Sequence, residues 1–328
     1  MTMHDRIPPA IAFVFALSVT PHVAHGQSNE DGDRGLHVAW SDAQDPHHAA
    51  AEHELVELHL ALRTLLTNRA QLDGISRVLA TDTRLRDLYE QLRAITERAP
   101  TLPVAWLDLA DIDFEFRDGR AMLAHLEHAA VHARGTPLVE QVLFQQGIAY
   151  TMLDRFAEAA DVYRRGLELP LSNGARGFSL CNLAEIETYL RQPEDSIAHY
   201  EACVSLLPSY DGGYWGLASA LDREGRESEA RAAAARALSI DEHARSLTSH
   251  GVFYTPPYEQ HYYLGLAREA QGRNAEAAQE WRLYLDAGGA HDPWARRAEA
   301  HLRALTTGAS SAAPIHPRPR ARRTGRDF

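Results

Sequence analysis

The 328-residue chain contains no lysine, and all 33 of its basic side chains are arginine. A Schiff-base lysine, a cofactor-anchoring lysine and the phosphate-binding lysine of a nucleotide loop are thereby excluded. Cysteine is nearly as scarce, with only Cys181 and Cys203. Long apolar runs are missing: Ile11 to Val19 is too short to cross a bilayer, and no later stretch replaces it. No nucleophile elbow, glycine-rich phosphate loop or pair of catalytic carboxylates is present. These gaps point to a non-catalytic protein with no cofactor.

What remains is the composition of a folded domain, 45% hydrophobic and 24% charged. The net charge of −12 is unevenly spread. From Pro317 to Phe328 five arginines face only Asp327, a net of +4 that leaves about −16 for the rest. Such a body repels nucleic acid and anionic membrane. Two readings of the Arg-rich tail stay open: a solvated end, or a weak contact for an acidic surface, a membrane included.

The first 26 residues resemble an export signal. Arg6 precedes the apolar run, and Ala24-His25-Gly26 gives a small-x-small cleavage pattern. Cleavage near Gly26 predicts a periplasmic or secreted protein, and no cysteine is present there to carry lipid. Residues 27–46 lack periodicity and are expected to form a disordered linker. Within 47–100, Leu55, Leu58, Leu62 and Leu65 keep a helical spacing, as do Leu85, Leu88, Leu92 and Ile95. This region is expected to be helical, a degenerate helix pair ahead of a repeat array.

From residue 101 a pattern repeats. A small residue recurs at Ala110, Gly147, Ala184, Ala218 and Gly265, at steps of 37, 37, 34 and 47. Each lies in a helical hydrophobic pattern, and a second helix starts about a dozen residues later. The motif Trp106-x-x-Leu109-Ala110, the pairs Leu183-Ala184, Leu217-Ala218 and Leu264-Gly265, and the closing Pro170 and Pro208 resemble the tetratricopeptide repeat. The resemblance runs from Pro103 to about Gly288, with the first pair displaced by two residues around its turn. It implies an all-α fold, a right-handed α-solenoid of antiparallel helix pairs. Ala184 is expected to meet Ser196, Ala218 to meet Ala230 and Gly265 to meet Ala277, with Tyr163, Tyr200 and Trp281 filling space between successive pairs. Asp292 to Thr306 should cap the array, which ends at 306; residues 307–328 are expected to be disordered.

The same resemblance implies a groove lined by the first helix of each pair. Its slots fall on Phe144, Gln145 and Ile148, on Asn182, Glu185 and Tyr189, on Trp215, Ser219, Asp222 and Arg223, and on Tyr262, Tyr263 and Glu269. Rings and amides together suit a protein or peptide partner, although aromatics at these slots also pack between pairs. A clamp for a terminal carboxylate is disfavoured, since only Asn182 and Arg223 suit it. The long step before Gly265 marks an insertion, with Phe253, Tyr254 and Tyr258 in it. It reads equally as a binding loop or as a cover over repeat core. A glycan-binding alternative rests on Trp215 and this loop.

His125, His128 and His132 share one helix face, but one straight helix seldom converges three rings on a metal ion, and no metal is expected. The segment His53-Glu54…His59 fails the zinc-peptidase spacing, because Glu57 stands where the second histidine belongs. An oxidising compartment would permit a disulfide. Cys181 is nevertheless expected on the face turned away from its partner helix, which favours two separate thiols.

Overall fold

The computed structural model describes residues 46–70, 74–249 and 252–307; the export signal, nearly all of the linker and the basic tail lie outside them. The described residues are helical, with no strand among them. Two compact units divide at Leu206 and Leu207, inside the repeat array. The first holds α1 (Pro46–Ala70), α2 (Gly74–Arg98), α3 (Pro103–Glu115), α4 (Gly119–His132), α5 (Leu138–Met152), α6 (Phe156–Leu167), α7 (Asn173–Tyr189) and α8 (Pro193–Leu206). The second holds α9 (Asp211–Arg223), α10 (Glu227–Ile240), α11 (Glu259–Ala270), α12 (Asn274–Asp286) and α13 (Ala295–Thr306), with short 3-10 turns at Arg245–Thr248 and Gly289–His291.

Each apolar period becomes one buried stripe. In α1 and α2 the leucines at 55, 62, 85 and 92 join Ile95 in a core shared with Ala105 and Leu109 of α3. Arg98 at the end of α2 reaches back to Glu54 at 2.7 Å, which fixes α1 and α2 as antiparallel. Proline at the first turn starts α3, where its missing N–H costs nothing. Asp118 caps α4 by accepting from the backbone N–H of Arg120 and Ala121.

The five pairs from α3/α4 to α11/α12 share one register. Seven residues after each recurring small residue, the backbone turns left-handed: Arg117, Asp154, Arg191, Gly225 and Gly272 all have φ between 56° and 73°. The first pair is therefore not displaced. Arg117 holds the left-handed turn position, seven residues after Ala110, and Gly119 opens α4. Glycine at 225 and 272 adopts this conformation without the steric cost that arginine and aspartate carry.

The small residues also do more than admit a neighbouring backbone. A Cβ on Gly147 would lie 2.3 Å from the Tyr163 ring, and one on Gly265 would lie 2.7 Å from the Trp281 indole. Tyr163 and Trp281 thus pack into their own pair, rather than only between successive pairs. Ser196 meets Ala184 directly, its hydroxyl donating to the Ala184 carbonyl at 2.7 Å.

The cysteines are paired, contrary to the separate thiols expected. Cys181 of α7 and Cys203 of α8 form a disulfide with Cα atoms 5.4 Å apart. The reason lies in the hairpin geometry. The Thr188 and Ser196 hydroxyls meet at 2.7 Å near the turn. Cys181 lies seven residues before Thr188, and Cys203 seven after Ser196, two helical turns along each antiparallel helix. Cys181 therefore shares the inward face with Ala184 and Thr188.

Candidate functional site

Side-chain bonds tie the two helices of a pair. Near the end of four of the five first helices, three or four residues after the small residue, stands a polar side chain that is bonded by a second-helix side chain twelve residues later. His125 Nδ1 meets Asp113 at 2.6 Å, and His199 Nδ1 meets Glu187 at 2.6 Å. The Trp281 indole N–H donates to Glu269 at 2.6 Å, and Tyr163 is hydrogen-bonded to Thr151. The hydrogen bond to Glu187 holds the His199 imidazole above its ordinary pKa. In the α9/α10 pair this clasp is missing its second half, because Ala234 stands twelve residues after Asp222.

In the first unit the expected groove residues lie on α5 and α7. Phe144 meets the Tyr163 ring edge-on, with centroids 5.9 Å apart, and Ile148 is buried. The Gln145 amide donates to Asp111 at 2.5 Å, and the Asn182 amide donates to the Tyr163 hydroxyl at 3.2 Å. Glu185 and Tyr189 remain half-exposed, with Tyr189 stacked on Phe156 at 4.9 Å. Helix α1 contributes His59, 2.9 Å from Asp108, and Arg63, which bonds both Asp108 and Asp111. Burial works against the Arg63 charge, but these two carboxylates raise its pKa above the ordinary value.

In the second unit the expected residues are covered by the chain itself. Trp215 and Tyr262 are 0% exposed, Ser219 is 1% and Asp222 is 2%. Asp222 accepts from the Tyr262 hydroxyl at 2.6 Å, from Arg297 at 2.7 Å and from His301 at 3.0 Å. Burial opposes ionisation of Asp222, yet His301 and Arg297 hold its carboxyl far below the usual range. Burial likewise opposes protonation of His301, but its bonds to Asp222 and Glu269 raise its pKa to about 9. Arg297 also bonds Glu227 at 2.9 Å, and the His301 ring stacks on Trp281 at 4.6 Å. Arg223 forms a fully buried ion pair with Glu259, beneath Trp294 at 3.9 Å and Tyr262 at 4.6 Å. Tyr263 is buried against Tyr254.

The insertion packs against the same unit. Ser246 donates to Asp211, and the Tyr254 hydroxyl donates to the Leu247 carbonyl at 3.0 Å. Tyr258 donates to Asp292 at 3.3 Å and meets Tyr284 edge-on, while Phe253 is half-buried. His125 is engaged with Asp113, and both His125 and His128 lie against Trp106, at 5.8 and 4.4 Å. Sequence reasoning missed the Asp222 network and its partners Arg297 and His301. The alanine at 234, in a slot that carries the large side chains of Leu126, Tyr163, Tyr200 and Trp281 in the other pairs, was the available signal.

No family model matches the sequence, and no curated protein matches it. Among solved structures, the chain is similar to PilF of Pseudomonas aeruginosa, with a TM-score of 0.52 and 12% identity over 79% of this chain and 99% of that one. YrrB, described as a TPR protein with an unusual peptide-binding site, aligns at a TM-score of 0.42 and 15% identity, covering 66% of this chain and 99% of that one. MamA aligns at 0.44 and 17%, over 52% and 96%. The helix pairs, with the likeness to PilF, give the chain a tetratricopeptide-repeat fold.

Proposed function

We propose that this chain of tetratricopeptide-repeat fold is a non-catalytic, exported scaffold that binds a protein or peptide, in envelope assembly or secretion. The observation that carries the reading is the common register of its five helix pairs. Small residue and left-handed turn recur seven residues apart in all five, so each first helix is held in the same register against its own second helix. Within the first unit, rings and carboxylates on these helices suit recognition of a chain segment through side-chain contacts and hydrogen bonds. Export is supported by two independent features. The first 26 residues carry a signal pattern, and a disulfide persists in oxidising compartments but seldom in the cytosol.

The glycan alternative has little left to stand on. Trp215 is fully buried, and Tyr254 and Tyr258 are bonded within the unit. The binding test also cannot use Trp215 or Tyr262, because removing a buried ring tests folding. Glu185 and Tyr189 suit it better, being half-exposed on α7. The mature protein is used to capture prey from an envelope extract, beside a Glu185→Arg, Tyr189→Ala variant of unchanged helicity and melting. Loss of the same prey from the variant supports the reading and places binding on α7. Equal capture moves the site elsewhere, and absence of any reproducible prey sinks the scaffold assignment.

A further inference from the structure

Asp222 stands four residues after Ala218, where the other pairs carry Phe114, Thr151, Thr188 and Glu269. Thr151, Thr188 and Glu269 are each bonded by their own second helix, whereas Ala234 offers Asp222 nothing. The carboxylate is nevertheless almost completely buried, and a buried charge must be paired. Its cations come from α13, where Arg297 and His301 stand four residues apart on one face. The same code appears in the first unit, where His59 and Arg63 of α1, also four apart, bond Asp108 and Asp111. An Arg and a His one turn apart on a helix are thus what the first-helix carboxylates of this chain accept.

Helix α13 is a short terminal holder of those cations. It spans only 12 residues, a length that is marginal for a helix standing alone. Within it only Ala298 is buried, with Trp294 just ahead at its cap, while Leu302 and Leu305 stay half-exposed. Charge pairs and ring contacts at Trp294 and His301 fasten it. It also leaves polar atoms unanswered. On the ridge of α9 that leads to Asp222, the Trp215 indole N–H and the Ser219 hydroxyl are buried, with no hydrogen-bond partner among the described residues. One ridge therefore carries a satisfied carboxylate and, one and two turns before it, two unsatisfied buried groups.

We propose that α13 is a resident stand-in ligand, and that the face of α9 around Asp222 binds a partner protein's helix bearing Arg and a second cation one turn apart, in exchange for α13. This deepens the scaffold reading and rests on it only for the existence of an outside partner. The opening of α13 is tested without one.

The first measurement is hydrogen exchange on the full wild-type chain. The α13 amides should exchange well before those of α11 and α12, and faster still as salt is raised. Exchange of all three helices together would overturn the proposal while leaving the scaffold reading untouched. The second uses a labelled peptide with the sequence of Asp292–Thr306, titrated into full chains by fluorescence anisotropy. An Arg297→Ala, His301→Ala chain should bind it roughly tenfold or more tightly than wild type, because α13 no longer competes. Adding Asp222→Asn should abolish that gain. Equal binding with and without Asp222 would overturn the site, and concentration-dependent dimers of wild type would assign the face to a second copy instead. If the double variant fails to keep its helicity, the exchange experiment alone decides.

Discussion

Replacing Gly147 with alanine tests the packing reading of the recurring small residue. Gly147 lies within α5, where alanine is intrinsically the better helix former by about 1 kcal/mol. The structure predicts the opposite sign. The new Cβ would stand 2.3 to 2.7 Å from three atoms of the Tyr163 ring, where ordinary contact begins near 3.4 Å. The ring is held on both sides, because Asn182 donates to its hydroxyl and Thr151 bonds it as well. Retreat by about an ångström would therefore strain a tight core, at about 1–3 kcal/mol. It would also weaken a buried hydrogen bond worth about 1 kcal/mol. Set against the helix gain, the net change is a destabilisation of about 1–2 kcal/mol. Gly166→Ala supplies the control. Its nearest neighbour would be Leu143 Cβ at 3.9 Å, so the helix gain should appear nearly whole. Urea denaturation followed by circular dichroism should shift the two midpoints in opposite directions. In a Tyr163→Leu background the Gly147→Ala cost should vanish, as a double-mutant cycle requires of a pairwise clash. Two variants that stabilise alike would refute the ring-in-glycine packing.

Three further outcomes are expected from the second unit and the disulfide. His301 has its pKa raised to about 9 in the fold, so its contribution to stability is fully present below about pH 6.5 and fades as pH rises through 9. Exchange of the α13 amides, corrected for the intrinsic pH dependence, should accelerate across that window, and a flat profile would contradict the Asp222 pairing. Arg223→Met strands Glu259 in the core and should cost about 3–5 kcal/mol by urea titration. Adding Glu259→Leu should recover most of that loss, since the uncompensated charge, not the pair itself, carries the penalty. Replacing Cys181 and Cys203 together with alanine should cost about 3 kcal/mol, the loop-closure value for their separation of 22 residues. Reduction of the wild-type chain should lower the melting point comparably.

The period, the helix pairs and the small residues were legible because they are local and repeat at fixed steps. Gly225 and Gly272 marked their turns for the same reason, whereas Arg117, Asp154 and Arg191 take the same left-handed conformation without the residue that advertises it. The disulfide was legible in principle. Counting seven outward from the Thr188–Ser196 contact at the turn pairs the cysteines, whereas assigning faces from the groove slots alone turned Cys181 outward. The groove slots named helix positions, but not what those side chains meet. Asp222 is enclosed by α13, which comes from far along the sequence, and no local period signals its arrival. Asp222 meets residues 75 and 79 positions away, so the information sits in long-range pairing that a single sequence does not display.

Within each unit, successive helix pairs touch chiefly their neighbours, so a unit pulled from its ends gives way one pair at a time. The Cys181–Cys203 bridge interrupts that sequence. It ties the middle of α7 to α8, and the 22 residue steps between its sulfurs cannot be drawn out. An extended chain gains at most about 3.5 Å per residue, so a pulled molecule should come up about 70 Å short until the bridge is reduced. In single-molecule stretching that missing length is a fixed ruler. It reports, molecule by molecule, whether the pair was locked before the load arrived.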